Sequence, residues 1–367
     1  MSGGELQRIS LHVGAGKTGS TALQAVLEAG RDELAAEGVS YPPASKSTRI
    51  DRDFPARGNA EILRCFARDL SPFEDIEDPA ALAELLREQC RETAPNVILS
   101  NEELYKASPE KLRNAAEALD MIAEEVRVVC VFREVTSHAV SVYSQVVRNH
   151  GQTKSLPEFL ERHEPQFVSA ARNLDSAFGR DRMRYVVYQQ DPDSHLRSVL
   201  RALDVSADVA SIATERVNTS LSPTGIAVMR YVNGLSSVER GVRNRLVKEL
   251  AARDRGAAHE PPPERSVPEA VLRRFEQETA ALNAHVFSSG APLSPPAKTY
   301  ADVSAVIDPL PDHVRLMTDI AVYAFGELAK LRARFRGGAA SQANGDAIKP
   351  RSAAARALRR LFAGRRS

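Results

Sequence analysis

Residues 14–21 read GAGKTGST, a lysine and three hydroxyls set among glycines. Ahead of them, apolar Ile9, Leu11 and Val13 alternate with polar Ser10 and His12, the period of a strand. Behind them, Thr18 to Glu37 has helical spacing, with Leu23, Val26 and Leu27 on one face. A glycine-rich turn from strand to helix makes an anion site, because free backbone N–H groups and the helix dipole point at one place. Gly14, Gly16 and Gly19 allow tight turns and close approach of a phosphate. Lys17 adds a mobile charge, and Thr18, Ser20 and Thr21 add donors. Hydrogen bonds to charged groups contribute on the order of 1.5–3 kcal/mol each, so several together hold a phosphate. A turn that only connects two elements would leave the lysine and the hydroxyls without a purpose.

The phosphate loop of nucleotide triphosphatases is G-x-x-x-x-G-K-[ST]. Gly16-Lys17-Thr18 fits its end, but the first glycine would fall on Leu11. No Asp closes a later apolar strand to hold Mg²⁺. A phosphotransferase using ATP and Mg²⁺ is therefore the alternative reading, weakened on both counts.

A second group of residues follows the strand Val126–Phe132. Arg133 ends it and Ser141 comes eight residues later. The carboxyl ends of strands are where open α/β sheets bind ligands. Arginine offers a planar, permanently charged fork for a phosphate, and serine one further donor. Glu134 is the competing partner for Arg133. Gly58-Asn59 and Arg148-Asn149-His150 fit an acceptor pocket as well as they fit loop and helix-end chemistry, and His138 and His150 lie near Arg133 and Ser141. Tyr143, Tyr185 and Tyr188 read as packing residues.

The elements that must carry these groups alternate. Helices are predicted near 60–70, 80–93, from Ser108-Pro109 onward, and over 136–149. Strands are predicted at Asn96–Ser100 and 184–188, and the chain to about residue 336 reads as mainly helical. Alternation implies a parallel sheet covered by helices on both faces. The 367 residues include 43% hydrophobic and 26% charged, ordinary globular usage that excludes a collagen, a disordered chain and a disulfide scaffold. Three cysteines, Cys65, Cys90 and Cys130, share no close spacing, which fits a reducing cytoplasm. The opening MSGGELQRIS lacks a secretory pattern, and no apolar run reaches the roughly 18–20 residues that span a bilayer. Net charge is +1, but residues 331–367 hold ten Lys or Arg and one acid, Asp346, leaving −8 for residues 1–330. An acidic body disfavours nucleic-acid binding. The expected division is one α/β domain over 1–336, then a flexible linker and basic tail over 337–367. The tail either stays solvated or lays Leu358, Leu361 and Phe362 on an anionic membrane surface.

Lys17-Thr18-Gly19-Ser20-Thr21 together with Arg133 and Ser141 resembles the two nucleotide-binding signatures of the PAPS-dependent sulfotransferases, PAPS being 3′-phosphoadenosine 5′-phosphosulfate. Leu99-Ser100-Asn101-Glu102, the helix Ser141-Val142-Tyr143-Ser144-Gln145 and the segment Val217–Ser222 are similar to elements of bacterial, carbohydrate-type members. The resemblance spans roughly residues 7–330. A lysine-arginine-glycine segment used by many cytosolic members near their C-terminus is not evident. The resemblance implies a P-loop-type parallel sheet and transfer of a sulfuryl group to a hydroxyl or amine of a carbohydrate, glycolipid or small metabolite, with no metal. It implies that Gly16, Lys17, Thr18, Gly19, Ser20 and Thr21 cradle the 5′-phosphosulfate and that Arg133 and Ser141 hold the 3′-phosphate. Lys17 then stabilises the leaving phosphate. A base must take the acceptor's proton. Glu102, beyond the strand Asn96–Ser100, is the first candidate and His12 the second.

Overall fold

The computed structural model describes residues 6–44, 58–69, 76, 78–206, 209, 221–236, 238–254, 267–287, 292–293, 317–319, 321–322 and 324–326. The linker and tail over 337–367, the segment Val217–Ser220 and the proline-rich stretch Pro261–Pro263 lie outside the described residues.

Five strands form one parallel sheet: β1 (Leu6–His12), β2 (Val39–Ser40), β3 (Asn96–Ser100), β4 (Ala123–Phe132) and β5 (Met183–Val187). Their order is β2-β3-β1-β4-β5. β1 is central, with His12 opposite Ser100 of β3 and Val129 of β4. The strands that the alternation predicts are all present. β2, only two residues long, carries too little pattern to be seen in the sequence.

Both faces of the sheet are buried, which is why β4 reads as an unbroken apolar run. Ile9, Leu11, Val97, Leu99, Val126, Val128, Cys130 and Phe132 point into one core. Ile98, Val129 and Val131 point into the other, against Leu23, Val26 and Leu27. The first core is covered by α3 (Glu61–Ala67), α4 (Pro79–Gln89), α5 (Pro109–Asp120), α6 (Val135–His150), α7 (Leu156–Arg162) and α8 (Phe167–Phe178). The second is covered by α1 (Ser20–Ala29), α2 (Arg31–Ala36) and α9 (Pro192–Ala202). Three further helices, α10 (Pro223–Gly234), α11 (Arg240–Asp254) and α12 (Glu269–Val286), extend the first layer.

Local sequence sets the helix ends. Ser108 accepts from the Lys111 N–H ahead of Pro109, and Asp78 does the same for Ala80 ahead of Pro79. Ser155 and Glu158 cap α7 reciprocally. The helical pattern over 18–37 divides into α1 and α2 at Gly30, and residues 18 and 19 belong to the loop. Cys65, Cys90 and Cys130 are buried free thiols. Among the described residues, no helix is long and apolar enough to cross a membrane.

Candidate active site

The loop after β1 remains part of the sheet for three residues. Val13 N–H donates to Val129 O at 2.9 Å and Ala15 N–H to Val131 O at 3.2 Å. The chain then leaves the sheet, with Lys17 at φ 70° and Gly19 at φ 84°. A left-handed lysine costs on the order of 1–3 kcal/mol, so its surroundings must enforce it. Gly14 is required for space: a Cβ there would lie 2.7 Å from His12 Nε2.

Side chains from α6, α9 and the residue that follows β4 supply that enforcement. His138 Nε2 meets Gly16 O at 2.9 Å, Arg133 Nη1 donates to Lys17 O at 3.3 Å, and His195 Nε2 meets Thr18 O at 2.7 Å. Three consecutive carbonyls are thus drawn toward β4, α6 and α9. Among the described residues, no acceptor takes the N–H groups of residues 16–21. Gly19 caps α1 without a side-chain bond, leaving the helix N-terminus open. This is the arrangement that accepts an anion.

Lys17, Arg133 and Ser141 line one cleft of about 210 Å³, with Ser137, Val140, Ser144, Gln145, Arg148 and Leu221. Among the described residues, no acidic side chain lines it. Glu134, the competing partner for Arg133, instead caps α6: its carboxylate accepts from Thr136 N–H at 2.7 Å and Ser137 N–H at 2.6 Å. Arg133 lies over the Tyr188 ring at 4.8 Å. Burial, and then the charge of Arg148, hold the Lys17 ammonium below its ordinary pKa; Glu102 pulls it up by less, and Arg133 pushes it down by least. Such a set of cations and open N–H groups fits a ligand with several phosphate or sulfate groups.

The hydroxyls of the loop divide their roles. Thr18 donates to Ala15 O within the turn, and Ser20 donates to Glu102 Oε2. Glu102 follows β3, so the ends of β1 and β3 bring it to the loop. His12 is 1% exposed. Its Nδ1 meets Ser100 Oγ at 3.0 Å, and Gln24 donates to the same oxygen at 3.1 Å. Burial, and then the neighbouring His195 imidazole, lowers its pKa to about 4. Asn59 binds Pro42 O, Ile98 O and Ser100 N–H, which gives it a structural task at the end of β3.

The sequence model of the sulfotransferase family matches residues 11–208, more than half of the 367-residue chain. The chain belongs to the sulfotransferase family. The matched span runs from β1 through α9 and contains the loop, Glu102, Arg133, Ser141 and His195. No curated protein matches the sulfotransferase's sequence. It is similar in structure to a sulfotransferase from Alicyclobacillus acidocaldarius, with 15% identity, 76% of this chain and 95% of that one covered, and a TM-score of 0.38. It is also similar to a sulfotransferase domain from the curacin biosynthetic pathway, with 14% identity, 75% and 98% covered, and a TM-score of 0.38.

Ser137 at the sulfotransferase's cleft escapes a reading by motif. It joins Ser141, Ser144 and Arg148 at helical spacing on α6, a polar stripe that sequence alone could have shown. His195 gives no such signal, because its contact with Thr18 joins residues 177 apart.

Proposed function

We propose that this sulfotransferase uses PAPS and transfers its sulfuryl group to a hydroxyl or amine of a carbohydrate or small metabolite. The observation that carries the reading is the shared cleft of Lys17, Arg133 and Ser141 at the carboxyl edge of the sheet. The loop N–H groups with Gly16, Thr18, Gly19, Ser20 and Thr21 receive the 5′-phosphosulfate. Arg133 and Ser141 receive the 3′-phosphate. The donor supplies SO₃ and leaves as adenosine 3′,5′-bisphosphate.

Lys17 holds a positive charge beside the oxygen on which negative charge builds as the S–O bond breaks. Glu102 takes the proton lost by the acceptor atom as its bond to sulfur forms. The Ser20 hydroxyl holds the Glu102 carboxylate against the loop, so base and phosphate site move as one. His12, buried and tied to Ser100, is the second candidate.

Calorimetry tests the donor. Tight binding of adenosine 3′,5′-bisphosphate without Mg²⁺ is expected, whereas tight binding of ATP only with Mg²⁺ would favour a phosphotransferase. The same reading takes the protein as cytoplasmic, with residues 1–336 as the catalytic domain and the tail over 337–367 either solvated or laid on an anionic membrane surface. Deleting 337–367 leaves the thermal melt in place; a collapsed melt would show that the tail belongs to the domain.

A further inference from the structure

The donor, on the reading above, has partners for both of its anionic ends. Arg148 is left over. It lines the same cleft as Lys17 and Arg133, half-buried, and among the described residues its one hydrogen bond is from Nε to the neighbouring Asn149 Oδ1 at 3.1 Å. It lies seven residues beyond Ser141 on the same face of α6, two turns or about 10 Å along the axis. Helix side chains tilt toward the N-terminus, which carries this guanidinium back toward the cleft. Gln145 and Ser144 flank it.

We infer that Arg148 receives an anionic group of the acceptor, so that the acceptor is a hydroxyl or amine compound carrying a carboxylate, phosphate or sulfate. This rests on the sulfuryl-transfer reading of the cleft. A half-buried guanidinium is costly until an anion covers it. Burial lowers its pKa, and its charge weighs on Lys17 more than that of Arg133 does. The spare cation therefore shares the cleft with the transfer lysine. An anionic acceptor approaching a donor of several negative charges is repelled, and a fixed cation between them offsets the repulsion. Ser144 donates its own proton to Val140 O, which leaves its lone pairs to accept from an acceptor hydroxyl.

The test uses the full-length protein saturated with adenosine 3′,5′-bisphosphate. Calorimetry then compares glucuronic acid and glucose 6-phosphate with glucose. At least one anionic probe should bind on the order of 10–100-fold more tightly than glucose, and Arg148→Gln should remove most of that preference. Arg148→Lys, which keeps the charge without the fork, should retain part of it. Affinity for the nucleotide should stay within about threefold in both variants, since another cation holds each phosphate. No preference for either anionic probe in the wild-type protein would overturn the inference. So would loss of nucleotide affinity in Arg148→Gln, which would assign this arginine to the donor. Failure of the wild-type protein to bind the nucleotide at all would instead overturn the donor reading.

Discussion

His195 of α9 and Thr18 of the phosphate loop are joined by one hydrogen bond, 2.7 Å from Nε2 to the carbonyl oxygen. Gln189 N–H donates to the other ring nitrogen, Nδ1, at 3.4 Å. The imidazole is thereby set as the neutral tautomer with its proton on Nε2. Burial, more than the nearby charge of Arg133, keeps it from charging. A helix 177 residues downstream thus governs how one peptide group of the loop is turned.

His195→Leu removes that donor without adding bulk to the loop. It should weaken adenosine 3′,5′-bisphosphate binding on the order of 10-fold, while His195→Gln, which keeps an N–H, should recover part of the loss. Calorimetry separates the two variants. Equal affinities for both would show that the ring only fills space.

Lys17→Ala should lower turnover on the order of 10²–10³-fold, as loss of one donor to developing charge does in other enzymes. Steady-state rates with saturating donor check this, and a wild-type rate would remove Lys17 from the chemistry. Arg133→Ala should weaken the 3′-phosphorylated nucleotide far more than adenosine 5′-phosphosulfate, which lacks that group. Similar losses for both would contradict the assignment.

Glu102→Gln keeps an acceptor for the Ser20 hydroxyl but cannot take a proton. It should leave nucleotide affinity within about threefold and lower transfer on the order of 10²–10⁴-fold. Retained turnover would pass the proton to water or to His12.

Much of this was legible beforehand. GAGKTGST, Arg133 and Ser141 are short-range signals, and β4 declares itself because burial on both faces needs an unbroken apolar run. Helical spacing over 18–37 spans two helices and not one, because the hydrophobic periodicity continues through Gly30, where the backbone breaks between α1 and α2. Glycines were expected to supply the loop's turns, yet one left-handed position is Lys17 itself, a conformation that only long-range contacts can enforce. Those contacts, from Arg133, His138 and His195, have no periodicity to read. Glu134 is the sequence neighbour that competes for Arg133, but the N-terminus of α6 takes its carboxylate instead.

Acid should destabilise the fold through its buried histidines. Burial first, and then the charges nearest each ring, hold His12 at about 4 and His138 at about 3, below the 6.5 of an unfolded histidine. Between those values and 6.5 the unfolded chain binds more protons, so stability falls as the pH is lowered through that window. For His12 alone the loss approaches about 3 kcal/mol near pH 4. Urea melts at several pH values between 7 and 4 measure it. His12→Gln should show a shallower fall than the wild-type protein, and an identical slope would show that His12 does not titrate there.

The three pinned carbonyls have a consequence for how a ligand arrives. His138, Arg133 and His195 hold the peptide groups of Gly16, Lys17 and Thr18 through the protein's own contacts. The cradle is cast before anything enters it, so little conformational entropy is spent on capture. Its association rate is then set by diffusion and by the pull of the cations, and it slows as salt is added.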